Sequence, residues 1–384
     1  MTAPAHAVID LDAVRHNVGL LTDRAGNAEV MAVVKADAYG HGLLPVARAA
    51  LAGGAGWLGV ARVEEAILLR AGLDPSGARP RILTWLYVPG APLAEALEAD
   101  LDVSVGAPWA LTEVAAAARR TGRTARVHLK VDTGMSRVGV RPEDWAALVD
   151  QAMAEQAQGT VEVVGVWSHL TSADDPDDPT TEAQLESFTA AVRTAETAGV
   201  RPQVRHLAAS SGTLFHPRTH LDLVRPGIAV YGISPAPRVA DAARLGLRAA
   251  MRVETTLAAV KTVPAGTPVS YNHTEVTGTA TRLGVLPVGY ANGIPRHASG
   301  TGPVQVAGRR CTVVGRVCMD QTVVDLGPED DGTDAGGSAV IFGDGADGEP
   351  TAEDWARATG TIGYEIVTRM GSQVPRRYRG EDAG

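Results

Sequence analysis

The chain has 384 residues, 45% of them hydrophobic and 21% charged, enough for two domains or for one large barrel with an addition. A net charge of -9 argues against nucleic acid or an anionic membrane surface as partner, and no apolar run approaches the ~18 residues of a membrane-spanning helix. Two cysteines, Cys311 and Cys318, cannot build a disulfide framework and point to a reducing, cytoplasmic setting, and the segment from Met1 to His6 has neither the basic stretch nor the apolar core of a secretion signal.

In chain order, β-branched runs alternate with alanine-rich amphipathic segments. Strands are expected over 29–35, 57–61, 81–86, 102–106, 126–132, 161–169, 204–210 and 221–225, with helices over 43–52, 63–70, 111–120, 145–156 and 185–197. Eight strands with intervening helices predict an α/β unit closed as a (β/α)8 TIM-type barrel rather than a doubly wound sheet. The connection over 211–220 is short and interrupted by Pro217, so no long helix is expected there. Near Gly246 the texture changes to Val/Thr-rich segments punctuated by Gly and Pro, over 252–262, 279–288, 305–306, 311–317, 321–326 and 339–342. These predict a C-terminal, mainly β domain in which only 353–358 reads as helix and the basic tail from Arg376 to Arg379 as a solvated end. The expected division is a barrel over 11–245 and a β-rich domain over 246–384 that also takes residues 1–10.

The chemistry concentrates at the ends of the barrel strands. Lys35 closes the apolar run Val30-Met31-Ala32-Val33-Val34, where α/β folds place their ligands. Desolvation lowers the lysine pKa of ~10.4 toward a usable amine, which is how lysines become Schiff-base formers or bases; a snorkelling strand-end lysine is the plain alternative. Lys130 and Arg137 follow at the fifth of the eight strands, His169 at the sixth, Ser210 at the seventh and Arg225 at the eighth, so one mouth gathers positive charge suited to an anion. Ser210 and the turn Arg225-Pro226-Gly227-Ile228 offer a hydroxyl and backbone amides to a phosphate. A lysine, a phosphate cup and an arginine together point to pyridoxal 5'-phosphate. Other motifs fail on context. Gly54-Ala55-Gly56-Trp57-Leu58-Gly59 precedes a strand instead of following one, and Pro217 separates His216 from His220. The acidic loops Asp174 to Pro179 and Asp330 to Asp334 read as solvated turns rather than metal sites, and Cys318 as strand packing rather than a nucleophile.

With these residues in hand, the sequence resembles the alanine racemase family of fold type III pyridoxal phosphate enzymes over nearly its whole length. The resemblance rests on Ala32-Val33-Val34-Lys35-Ala36-Asp37-Ala38-Tyr39-Gly40-His41-Gly42, then His128-Leu129-Lys130-Val131-Asp132-Thr133-Gly134-Met135-Ser136-Arg137, Trp167-Ser168-His169-Leu170 and Val224-Arg225-Pro226-Gly227-Ile228. Val269-Ser270-Tyr271, Gly289-Tyr290-Ala291-Asn292-Gly293 and Gly315-Arg316-Val317-Cys318-Met319-Asp320 extend it into the β domain. It implies racemisation of a small amino acid, alanine in most of the family, by a homodimer with shared sites. Lys35 would hold the cofactor and serve one face of the substrate α-carbon, while Tyr271, from the second subunit, would serve the other. Arg225 would meet the pyridine nitrogen, Arg137 and the Met319 amide the substrate carboxylate, and a carbamylated Lys130 would orient Arg137. His169 would pack near the ring, and Tyr39, Ser210, Gly227 and Ile228 would hold the phosphate.

Three departures from the family pattern leave serine or another small amino acid open as substrate. Ala209 replaces a common Asn, Asn292 stands where Asp is common in an access channel, and Ser372 is aligned with a late phosphate-binding tyrosine. Two rival readings are weaker. A noncatalytic cofactor-carrying barrel would lack the domain that bears Tyr271, and a decarboxylase of the same plan would need a phosphate-binding glycine triplet that is absent.

Overall fold

The computed structural model describes residues 5–73, 77, 79–371 and 373–380. The first strand, β1 (Ala5–Asp10), ends where the Asp10 carboxylate accepts from the Ala13 amide at 3.0 Å and caps the helix Leu11–Ala25. Eight parallel strands follow: β2 (Glu29–Val33), β3 (Trp57–Arg62), β4 (Arg81–Leu86), β5 (Asp102–Val105), β6 (Ala125–Lys130), β7 (Val161–Trp167), β8 (Val204–His206) and β9 (Leu223–Val224). Neighbours pair in sequence order, with β9 beside β2. The barrel closes between β8 and β9, where the Asp222 amide donates to the Arg205 carbonyl at 3.1 Å and the Arg225 amide to the Ala208 carbonyl at 2.9 Å. Side chains on both faces of these strands are buried, all four residues of β5 among them, as a parallel sheet covered by helices requires.

The helices Leu43–Ala52 and Trp145–Ala157 lie where the apolar periodicity puts them. The helix Thr180–Thr197 begins five residues before the expected start, because its first buried turn is polar, Thr181 and Gln184. Several strands stop short of the expected ends: β2 at Val33, β7 at Trp167 and β8 at His206. The chain has therefore left the sheet before it reaches Lys35 and His169, which stand on connecting segments, and Ser210, which opens the short helix Ser210–Phe215.

The remaining strands are β10 (Met251–Thr256), β11 (Ala259–Val263), β12 (Pro268–Val269), β13 (Glu275–Val276), β14 (Thr281–Leu286), β15 (Pro303–Val306), β16 (Arg309–Val313), β17 (Thr322–Gly327), β18 (Ser338–Phe342) and β19 (Arg376–Arg379). Nine strands form one sheet in the order β11-β14-β17-β16-β15-β18-β10-β1-β19, and β12 with β13 makes a separate hairpin. The structure corrects four sequence expectations here. The single run over 252–262 is two strands, β10 pairing with β18 and β11 with β14. A second helix, Gly363–Thr368, joins Ala352–Thr359; its Ile-Val-Thr core is β-branched and reads locally as strand. Cys318 lies on an irregular loop, not a strand. The basic tail is strand β19, parallel to β1, so Arg376 and Tyr378 are structural rather than merely solvated.

The acidic loop at Asp330 and Asp331 pairs with the buried Arg282 at 3.2 and 2.9 Å, which gives those carboxylates an internal partner. Among the described residues no group of three or more His, Cys, Asp or Glu is arranged to hold a metal ion, and no helix is long and apolar enough to cross a membrane.

Candidate active site

Immediately after β2 the backbone turns left-handed. Ala36, Asp37, Ala38 and Tyr39 all have φ between 52° and 56°, a conformation that costs about 1–2 kcal/mol per L-residue and persists only when its surroundings impose it. Glu65 accepts from the amides of Ala36 and Asp37 at 3.2 and 2.8 Å, and the Asp37 carboxylate accepts from the Leu43 amide at 2.8 Å. From the other domain, the Arg376 guanidinium donates to the Gly40 carbonyl at 3.0 Å and pairs with Asp37 at 3.1 Å. A Cβ on Gly42 would fall 1.9 Å from the Tyr378 hydroxyl, so β19 presses directly on this turn. The tail that the sequence left in solvent is thus a brace for the turn that begins at Lys35.

Lys35 opens on a cavity of about 560 Å³ that Tyr39, Lys130, Arg137, His169, Ser210 and Arg225 also line. Burial, then the Arg137 charge, lower the Lys35 pKa, against a raising effect of Glu65. Lys130 is 5% exposed, with its ammonium 4.3 Å from the centre of the Trp167 ring; burial, Arg225 and Arg137 bring its pKa down to about 7. The nearby Asp132 carboxylate accepts from the amides of Gly134, Met135 and Ser136 at 3.0, 2.9 and 3.1 Å. Arg225 is fully enclosed, donating to the carbonyls of Ser168 and Leu207 at 2.8 and 3.0 Å, and burial lowers its pKa to about 9, which leaves it charged at neutral pH. Burial and four neighbouring cations hold the His169 imidazole neutral. So much positive charge in one cavity favours an anionic occupant.

One end of the cavity is built from hydroxyls. Ser210 accepts from the amides of Gly227 and Ala229 at 2.9 and 3.3 Å, and a Cβ on Gly227 would come within 2.4 Å of the Tyr39 hydroxyl, so only glycine lets that phenol approach the Gly227-Ile228 backbone. Tyr364 completes this end, its ring 6.3 Å from Tyr39. Sequence reasoning missed it by aligning the late tyrosine with Ser372, which lies outside the described residues; the signal that could have found it was the tyrosine of Gly363-Tyr364-Glu365. The arrangement fits pyridoxal phosphate at each of its reactive points: hydroxyls and amides for the phosphate, an amine for the aldehyde, and a guanidinium for the ring nitrogen.

Tyr271 and Met319 are not brought into this cavity. Both are surface residues, 66% and 54% exposed, on loops tied to each other. The Ser270 hydroxyl donates to the Arg316 carbonyl at 2.6 Å, and the Cys318 thiol lies 3.3 Å from the same hydroxyl. Ser270, Asn272 and His273 all have positive φ, so Tyr271 sits in a strained turn at the tip of the β12–β13 hairpin. Asn292 closes its own turn, where its side-chain oxygen accepts from the Gly289 amide at 3.0 Å, as an aspartate would.

The chain matches the family model for the alanine racemase N-terminal domain over residues 9–235 and that for the alanine racemase C-terminal domain over 250–378. An alanine racemase of Beutenbergia cavernae is 61% identical over 381 residues, covering 99% of each chain, and one of Frankia casuarinae is 56% identical, covering 97% of this chain and 95% of its own. The crystal structure of alanine racemase from D-cycloserine-producing Streptomyces lavendulae superposes with a TM-score of 0.96 at 56% identity, covering 99% of this chain and 98% of that one. An alanine racemase from Bartonella henselae, described with covalently bound pyridoxal phosphate, superposes at 0.87 with 27% identity, covering 98% of this chain and 100% of its own. Matched by both domain models and by full-length relatives of this identity, the chain belongs to the alanine racemase family.

Proposed function

We propose that this protein interconverts L- and D-alanine as a cytoplasmic, pyridoxal phosphate-dependent homodimer whose barrel domain, over 11–245, meets the partner's β domain at each site. The observation that carries the reading is the half-buried Lys35 amine, facing a cation-rich cavity that the hydroxyl-bearing Tyr39, Ser210 and Tyr364 also line. Bound there, pyridoxal phosphate supplies an electron-withdrawing system that acidifies the substrate Cα–H. Lys35, its pKa lowered by burial, takes or returns the Cα proton on one face. Tyr271 of the second subunit does so on the opposite face, and its exposure on a braced, strained loop beside Met319 suits delivery to another chain. Two bases are needed because inversion removes a proton from one face and adds one to the other.

Arg137 and the Met319 amide receive the substrate carboxylate. Arg225 donates to the ring nitrogen and, because a guanidinium does not surrender its proton, keeps that nitrogen unprotonated and the ring a moderated electron sink, which disfavours transamination. Lys130, with a pKa of about 7, has enough free amine at neutral pH to attack CO2: an N–C bond forms, one C=O electron pair moves to oxygen, and an ammonium proton is lost. The resulting carbamate is an anion that orients Arg137. His169 packs on the ring, and Tyr39, Ser210, Gly227, Ile228 and Tyr364 hold the phosphate.

The test is a chiral assay of the purified protein across small amino acids, paired with its near-visible spectrum. The proposal expects alanine to racemise fastest and the absorbance of lysine-bound cofactor to vanish in Lys35→Ala. Faster turnover of serine, or a spectrum unchanged by that substitution, would overturn it.

A further inference from the structure

A line of four buried polar side chains crosses the barrel interior from its amino end to the cavity. Asp102 opens β5, His128 lies in β6, His206 closes β8, and Arg225 follows β9. His128 Nε2 is 3.0 Å from Asp102 Oδ2, His128 Nδ1 is 2.9 Å from His206 Nε2, and His206 Nδ1 is 3.1 Å from Arg225 Nη1. At the amino end Asp102 is also gripped by Arg81, and by Arg126 at 2.6 Å.

Donor and acceptor chemistry allows this line one polarity. Arginine only donates, so His206 Nδ1 must be the bare nitrogen and Nε2 must carry the hydrogen. That hydrogen points to His128 Nδ1, which must then be bare, and His128 Nε2–H donates to the Asp102 carboxylate. A doubly protonated His128 would leave His206 without any ring proton. Burial lowers the pKa of both histidines, in keeping with two neutral rings, while against the raising effect of its own burial the His128 hydrogen bond, then Arg81 and Arg126, hold Asp102 ionised at a pKa of about 2.

The walls are shaped for the line. The Trp167 ring stacks flat on His206 with centroids 5.4 Å apart, and Trp57 meets His128 edge-on at 5.8 Å. The β6–β7 ladder shifts register between Val127 and His128, which re-aims the His128 side chain. Beside it a Cβ on Gly165 would lie 2.2 Å from His128 Nδ1, so β7 carries glycine where the ring must pass.

We propose that Asp102, His128 and His206 are positioning residues: a one-way hydrogen-bond chain that fixes the rotamer of Arg225 and aims its remaining N–H groups at the cofactor ring nitrogen. The assignment rests on the role of Arg225 given above. The chain ties a charge at the amino end of the barrel to the chemistry at its mouth, so its removal loosens Arg225 while Lys35 and the phosphate-binding hydroxyls stay in place.

The test is nitrogen NMR of the holoenzyme with 15N-labelled histidine rings, before and after removal of cofactor, with His128→Asn and His206→Asn for assignment. In both states His128 and His206 are expected neutral and protonated at Nε2. Asp102→Asn should shift the His206 ring signals, two links away, and lower kcat roughly tenfold with little change in KM. Gly165→Ala, which alters no charge, should shift the same signals by displacing the His128 ring. Either ring protonated at Nδ1, or His206 signals unmoved by Asp102→Asn, would overturn the chain. Should Asp102→Asn fail to fold, the tautomers of the unsubstituted protein decide. Failure of the cofactor reading would register separately, as absence of the lysine-bound absorbance with the histidine tautomers intact.

Discussion

Lys130 offers the sharpest energetic test, because an ammonium 5% exposed between Arg225 and Arg137 is a liability to the fold. Its pKa falls from 10.5 to about 7, and at about 1.36 kcal/mol per pH unit a charged Lys130 opposes folding by about 5 kcal/mol. The sign follows from proton counting. Between pH 7 and 10.5 the unfolded chain holds a proton on Lys130 that the folded chain has lost, so stability rises with pH across that window and levels off above it. Lys130→Met keeps the length and removes the charge. Urea unfolding in CO2-free buffer should find the variant about 4 kcal/mol more stable than the wild type at pH 7 and within about 1 kcal/mol at pH 10. Bicarbonate at pH 7 should then stabilise the wild type alone, since a carbamate turns an unpaired cation into an anion facing two arginines. A wild-type-minus-variant difference that stays constant from pH 7 to 10 would mean that the fold does not hold Lys130 as a desolvated amine.

Tyr364→Phe should weaken pyridoxal phosphate binding roughly tenfold, read by titration of the cofactor-free protein, for the loss of one hydroxyl from the phosphate end. Arg376→Ala should loosen the left-handed turn, read as faster hydrogen exchange at the amides of Ala38 to Gly42 with β2 unchanged, because it removes the bond to the Gly40 carbonyl and the pair with Asp37. Gly42→Ala should be more severe, lowering the urea midpoint by an amount equivalent to several kcal/mol, because it pairs a positive φ with a Cβ inside the Tyr378 phenol.

Much of the barrel was legible because parallel strands buried on both faces are near-continuous β-branched runs, and these give the period away without tertiary information. Lys35, Lys130, His169, Ser210 and Arg225 were legible for the same reason: each sits at or just past the carboxyl end of such a run. What escaped depends on contacts between distant segments. The parallel pairing of β19 with β1 joins residues some 370 apart, and nothing in Arg-Arg-Tyr-Arg announces it. The left-handed turn at Ala36 to Tyr39 carries no run of glycines or asparagines, because Glu65 and Arg376 impose the conformation from outside. Tyr364 was hidden in a six-residue helix too short to show a period. His128, His206 and Asp102 read singly as buried polar residues; only their alignment across three strands makes a chain.

The central claim is that Lys35 and Tyr271 serve opposite faces of one α-carbon. The measurement that tests it most directly is racemisation in deuterium oxide, from each alanine enantiomer in turn, by wild type and Tyr271→Phe. Solvent deuterium should appear at Cα of both enantiomers with the wild type. With Tyr271→Phe, exchange should be confined largely to the enantiomer whose proton faces Lys35, and racemisation should slow by about 100-fold or more. Wild-type racemisation by Tyr271→Phe would contradict it.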